Sequence, residues 1–219
     1  MQSSLDTSMQ CILTDAGRLK ALIHLSSTSS QTQTIYDRFT NMVHEVLGTP
    51  VSTLTLVSHD YQYFKSQVGL DDPWKSQGKT PLSHSFCKHI VATNEPLIVE
   101  NANEFPLVRY NPAIRDMGVV AYLGVPLTLS DGTRLGSLCA IDHEPKNWDE
   151  TDLAIMRELS EIVTKEFNSR AEAGLNRALL PEYDALYSRI DALINSLDTS
   201  IPKDEFLTRL RAAREQFQL

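Results

Sequence analysis

Residues 119–142 read VVAYLGVPLTLSDGTRLGSLCAID, and the reading of this stretch decides the fold. Two apolar runs flank Ser130-Asp131-Gly132-Thr133. Each is short and aliphatic enough to predict a strand rather than a helix. Asp-Gly is a tight-turn signal, because glycine reaches positive φ without steric cost and aspartate bonds its own backbone. The stretch is therefore a β-hairpin. Gly124 and Gly136 interrupt its strands, and a glycine inside a strand marks a bulge or a close approach to the backbone. A hairpin this apolar needs a sheet to join.

The chain around it has 219 residues, 42% hydrophobic and 22% charged, with a formal net charge of −8. That is enough for one core plus an appendage. No apolar run approaches the roughly 18 residues of a membrane span, and MQSSLDTSMQ lacks the features of a secretory signal, so the expected location is the cytoplasm, without membrane association. Three widely spaced cysteines fit reduced thiols better than a disulfide framework. The acidic balance, with no basic patch, argues against nucleic acid as a partner.

Residues 1–14 carry little pattern and predict a frayed leader. A helical period starts at Asp15, a possible N-cap, and dissolves in the Ser/Thr/Gln run from Ser26 to Thr34. Ile35, Phe39, Met42, Val43, Val46 and Leu47 predict an amphipathic helix that stops at Gly48. VSTLTLVS (51–58) alternates with period two and YQYFKSQV (61–68) follows, giving a second hairpin. Leu82 to Thr93 predicts a short helix with Ser83 or Ser85 as its cap, and Leu97 to Glu100 a short strand. Asn101 to Met117, with two prolines, predicts loop with one or two helical turns. A long helix starts near Glu150, capped by Asn147 or Asp149, and the tail from about 175 predicts an αα-hairpin.

This order resembles that of a GAF domain, and so do Ser85-Phe86-Cys87-Lys88-His89, Pro96-Leu97-Ile98-Val99, Tyr122-Leu123-Gly124-Val125-Pro126-Leu127 and Gly136-Ser137-Leu138-Cys139-Ala140-Ile141-Asp142, followed by a helix start at Trp148 to Asp152. The likeness covers about residues 30 to 172. It implies an α+β fold: a PAS-like antiparallel sheet with long helices on one face and a loop-covered pocket on the other, plus the C-terminal αα-hairpin. The expected organisation is a leader and short helix over 1–28, a GAF domain over 29–173 and a helical hairpin over 174–219. Phe86, Cys87, Phe105, Arg109, Tyr110, Ile114, Arg115, Tyr122, Leu138 and Asp142 are the candidate pocket residues. Tyr122 and Leu138 come from the hairpin strands, and Phe105, Tyr110 and Ile114 from the loop as a lid.

Cys87 beside His84 and His89 raises nucleophilic or metal chemistry. On one helix the two histidines lie about 140° apart and cannot share a coordination sphere, so no metal and no cofactor is expected. GAF-type methionine sulfoxide reductases need further cysteines in the segment before the central hairpin, and bilin-binding GAF domains a cysteine there. Asn101 to Val120 has none. Arg109 and Arg115 are the cations placed for a cyclic nucleotide, with surface pairing as the ordinary alternative. Asp142 either bonds a backbone turn or faces the pocket. The expectation is a non-catalytic signalling module that binds a small ligand of unknown identity, a partner protein, or both. It would homodimerise through the first and last GAF helices, and its output would pass through the helices or a separate protein. The alternative is a scaffolding module with a filled pocket; a Cys87-dependent redox enzyme or bilin photoreceptor is the minor alternative.

Overall fold

The computed structural model describes residues 2–26 and 30–219. The chain begins with α1 (Gln2–Leu13) and α2 (Ala16–Ser26), which meet at Asp15. The Asp15 carboxylate accepts the Arg18 N–H at 2.7 Å, the capping bond expected of it. The frayed leader expected over residues 1–14 is instead α1. Leu13 is fully buried, and Met9 and Ile12 pack against the core on one side of the sheet. Of the polar run from Ser26 to Thr34, Ser26 ends α2, residues 27–29 lie outside the described residues, as does the expected boundary at 28/29, and the rest already belongs to α3 (Ser30–Leu47).

Next come β1 (Val51–Val57), β2 (Tyr61–Val68), α4 (Trp74–Gln77), β3 (Lys79–Pro81) and a 3₁₀ turn over Leu82–His84. The single helix expected over 82–93 is broken after that turn, and α5 spans Cys87–Thr93. The Ser85 hydroxyl accepts the Lys88 N–H at 3.0 Å and donates to Gln62 at 2.5 Å, so it stitches the break to the sheet. Then follow β4 (Leu97–Val99), α6 (Ala113–Met117), β5 (Ala121–Thr128), β6 (Arg134–Asp142), α7 (Glu150–Leu175), a 3₁₀ turn over Arg177–Leu179, α8 (Leu180–Ser196) and α9 (Lys203–Gln216). Asp149 caps α7 in a reciprocal capping box with Asp152. The expected boundary at 173/174 falls inside α7.

Among the described residues the strands form one antiparallel sheet in the order β3-β2-β1-β6-β5-β4. The hairpin of residues 119–142 supplies β5 and β6, and β6 pairs with β1 at the centre. Alternation divides the side chains between two faces. Leu54 and Leu56, Leu123, Val125 and Leu127, and Leu138 and Ala140 join α2, α3 and α7 in the larger core. Leu186, Ile190, Leu193, Phe206 and Leu210 belong to that same core, so the tail is packed onto the helices and not free of them. At a bulge the register shifts from Leu54 opposite Ser66 to Thr55 opposite Phe64, which turns both Lys65 and Ser66 toward the helices, where Lys65 donates to Leu25 O at 3.0 Å. Gly136 is required by a close approach: a Cβ there would lie 1.9 Å from the Thr55 carbonyl oxygen.

Candidate functional site

The opposite phase of the same strands builds the other face. The hydroxyls of Thr53 and Thr55 (β1), Gln62 and Phe64 (β2), Tyr122 (β5) and Cys139 and Ile141 (β6) point away from the long helices. Short α5 and α6, with the irregular segment between β4 and β5, cover them, and α1 leans on α5 from outside. Thr53, Thr55, Gln62, Ser85 and Ser137 are all buried. Buried hydroxyls and amides need partners, and these find them in one another: Thr55 donates to Thr53 at 2.9 Å.

Between sheet, α5 and α6 lies a cavity of about 20 Å³ lined by Thr53, Thr55, Gln62, Phe64, Leu70, His84, Phe86, Cys87, Ala113, Met117, Val119, Tyr122 and Ile141. That is room for a single water-sized molecule. A larger depression of about 440 Å³ lies outside, open to solvent along the flank of α7 between Asn94, Arg157 and Lys165, and shares no lining residue with this cavity.

Three groups converge at the floor of the cavity. The Tyr122 hydroxyl is 3.1 Å from Cys139 Sγ and 3.4 Å from Cys87 Sγ, and the two sulfurs are 3.6 Å apart. Ser137 Oγ adds a contact of 3.1 Å to Cys139. Gly124 makes this possible, because the Tyr122 ring lies back over it and a Cβ there would meet the phenol oxygen at 2.5 Å. The hydrogen bond from Cys139 pulls the Cys87 thiol below its ordinary pKa, with help from Ser137, Tyr122 and Thr55 and against the cost of burial. Burial pushes Cys139 and Tyr122 well above theirs. At the rim, His84 Nε2 is 3.1 Å from the Asp116 carboxylate and its ring lies 5.2 Å from that of Trp74. Arg115 first, and then His84, hold the Asp116 carboxyl down to about 2.

Of the residues expected to line the pocket, Phe86, Cys87 and Tyr122 do so, with the Phe86 and Tyr122 rings 5.2 Å apart. Phe105 and Ile114 are half-buried against the core of this face. Arg109 lies over the Tyr110 ring at 4.9 Å on the outside, and Tyr110 is 84% exposed. Arg115 is also outside, paired with Asp116 at 2.6 Å. Asp142 accepts the His143 N–H at 2.8 Å and that of Glu144 at 3.3 Å, so it bonds the turn after β6 and does not line the cavity. Leu138 is corrected to the helix-covered face: it pairs with Val125 and Leu54, one step out of phase with Cys139. Missed were Thr53, Thr55, Gln62 and the Cys139 sulfur. The threonines were visible in VSTLTLVS, whose hydroxyl phase is the cavity phase.

The fold and this loop-covered face define an α+β domain of one antiparallel sheet between long helices and a covering of short ones. The profile described as "GAF domain" matches residues 31–167, and the chain belongs to the GAF domain family. Over 166 residues, 75% of this chain, it is 28% identical to a cyclic di-GMP phosphodiesterase from Pseudomonas aeruginosa. The match spans only 27% of that relative's length. The GAF domain of a phosphoenolpyruvate-protein phosphotransferase from Coxiella burnetii is similar in fold, with TM-score 0.55 and 16% identity over 74% of this chain and 95% of that one. A free methionine-R-sulfoxide reductase from Neisseria meningitidis is similar at TM-score 0.52 and 19% identity, over 71% of this chain and 87% of that one. Among the described residues no helix is long and apolar enough to cross a membrane, and no group of three or more His, Cys, Asp or Glu is placed to hold a metal ion.

Proposed function

We propose that this chain is a non-catalytic regulatory module of the cytoplasm, in which a small ligand held against the inner sheet face biases how the terminal helices are presented to a partner protein or a second copy. The observation that carries this reading is the polarity of the enclosed face. Thr53, Thr55, Gln62 and His84 line the cavity beside Phe86 and Tyr122, which is a set of orienting donors and acceptors in an apolar shell. A ligand larger than water is accommodated when α6 and the segment before it move outward. Gly118, at φ 65°, sits where that segment joins β5. The named activity of the Pseudomonas relative belongs to a protein of which this chain matches about a quarter, and it supports a place in signalling and not a reaction.

The cavity's volume of about 20 Å³ favours a second reading, an interaction module whose pocket stays filled by its own side chains. Thermal unfolding against a panel of metabolites and cyclic nucleotides separates the two. A ligand at 100 times its Kd adds about 2.7 kcal/mol, which raises the Tm of a chain this size by about 5–10 °C. Thr55→Val with Gln62→Leu should abolish that rise. A panel that leaves the Tm unmoved, with partner binding intact, establishes the second reading.

A further inference from the structure

We propose that Cys87 and Cys139 form a peroxide-reactive dithiol site, in which a hydroperoxide small enough for the cavity is reduced and the two sulfurs are joined. The inference goes beyond the ligand reading and does not depend on it.

The geometry is specific to this pair. Sγ atoms 3.6 Å apart on α5 and β6 reach the disulfide distance of about 2.05 Å by closing about 1.5 Å, with no third group between them. Cys87 lines the cavity and Cys139 lies behind it, fully buried. That order assigns Cys87 as the attacking sulfur and Cys139 as the resolving one. Tyr122 and Ser137 surround the pair with hydroxyls, and the hydrogen bonds reaching Cys87 favour its thiolate, the nucleophilic form. The cavity selects the oxidant: about 20 Å³ admits a molecule the size of water, and hydrogen peroxide is barely larger, whereas glutathione disulfide is excluded.

The Cys87 thiolate attacks one peroxide oxygen and the O–O bond breaks. Hydroxide leaves and takes up a proton as water, so Cys87 becomes a sulfenic acid. Cys139 sulfur then attacks Cys87 sulfur; the S–S bond forms, the S–O bond breaks, and the second hydroxide leaves with the Cys139 proton. Two thiols lose two electrons, and one peroxide becomes two waters. The link pins α5, and α1 leaning on it, to the central strand.

Cys11, which is exposed, is the internal control. The folded Cys11→Ser chain, treated with hydrogen peroxide at pH 7 and then denatured, should fall from two titratable thiols to none with one peroxide consumed. Mass spectrometry should show the Cys87 and Cys139 peptides joined. Cys139→Ser should leave a sulfenic acid on Cys87 that dimedone, added together with urea after the peroxide is removed, traps, and Cys87→Ser should leave Cys139 unmodified. Glutathione disulfide should leave both thiols of the folded chain intact. If peroxide that oxidises Cys11 in the unmutated chain leaves Cys87 and Cys139 as thiols until urea is added, the site is inert and the proposal is overturned. Oxidation of Cys87 to sulfinic acid with no link to Cys139 overturns it equally. The main measurement uses a chain altered only at an exposed position, so it does not depend on how the core variants fold.

Discussion

Glu166 is a carboxyl with no exposed surface, in the core between sheet and helices. The Tyr36 hydroxyl donates to one of its oxygens and that of Tyr183, from α8, to the other at 2.9 Å. Burial raises its pKa above the usual 4.5, against the pull of Arg170. The folded chain therefore keeps a proton that the unfolded chain releases. This contribution to stability is fully present below pH 4.5 and is lost as pH rises through the folded value. Glu166→Gln removes the titration and keeps an acceptor, so stability from urea denaturation should vary less with pH from 4.5 upward; a variant that retains the full slope would place it elsewhere. Glu166→Ala leaves both phenols without their partner and should cost about 2–4 kcal/mol at neutral pH. Lys65, held down to about 8 by burial, contributes in a separate window: above pH 8 it has released a proton that the unfolded chain still holds, so stability rises there with pH. Reading single residues from the sequence succeeds where a strand has a phase. VSTLTLVS has one, hydroxyl against leucine. GSLCAID has none: β6 is buried along its centre and carries apolar residues on both faces, Leu138 and Ala140 on one and Cys139 and Ile141 on the other, so nothing in its hydropathy separates Leu138 from Cys139.

At the scale of elements, one side chain fastens the N-terminal helices to the sheet. The Arg18 guanidinium, 3% exposed, donates to Ile12 O at 3.0 Å, Leu13 O at 2.7 Å, Val57 O at 2.6 Å and Arg134 O at 3.3 Å. A planar fork reaches four carbonyls at the corner of α1 and α2 and the ends of β1 and β6; a lysine ammonium cannot. Arg18→Lys should therefore cost about 2 kcal/mol and expose residues 8–14 to protease, because buried carbonyls lose their donors. Equal urea midpoints and equal cleavage for the two chains would show that α1 is held by Met9, Ile12 and Leu13 alone. The sequence predicts disorder for α1 because its apolar residues are sparse and its anchor, Arg18, stands in the next helix. The two hairpins, α3, α7 and the tail helices were legible because each carries a long period of its own. α4 and β3 were not: four and three residues are too few to show one.

At the scale of the molecule, the tail determines which surface is free. An amphipathic stripe on α8 or α9 shows that it packs, and not whether its partner is the same chain or another. In this structure the partner is the chain's own α3 and α7. Lys203 Nζ reaches Asp149 at 2.8 Å and Asp152 at 2.6 Å, Arg38 meets Asp191 at 2.6 Å, and Arg214 meets Glu158 and Glu161. Pairs at or near the surface are worth about 0–1 kcal/mol each. The buried anchors weigh more: Ile190, Leu193, Phe206 and Leu210 are fully enclosed, and a phenylalanine or leucine so placed contributes about 1.5–3 kcal/mol. A homodimer through α3 and α7, the pairing expected from the sequence, would therefore compete with α8–α9 for the same apolar face. Light scattering at micromolar concentration should give the 24.6 kDa of one chain. Phe206→Asp, which places a charge at an enclosed position and frees α9, should shift the mass toward two chains, with the GAF core still cooperatively folded by urea denaturation. Raising salt, which screens only the ion pairs, should move the equilibrium far less than the substitution. A wild-type dimer whose mass is unchanged by Phe206→Asp would put the interface on another surface and leave the hairpin a fixed part of the fold.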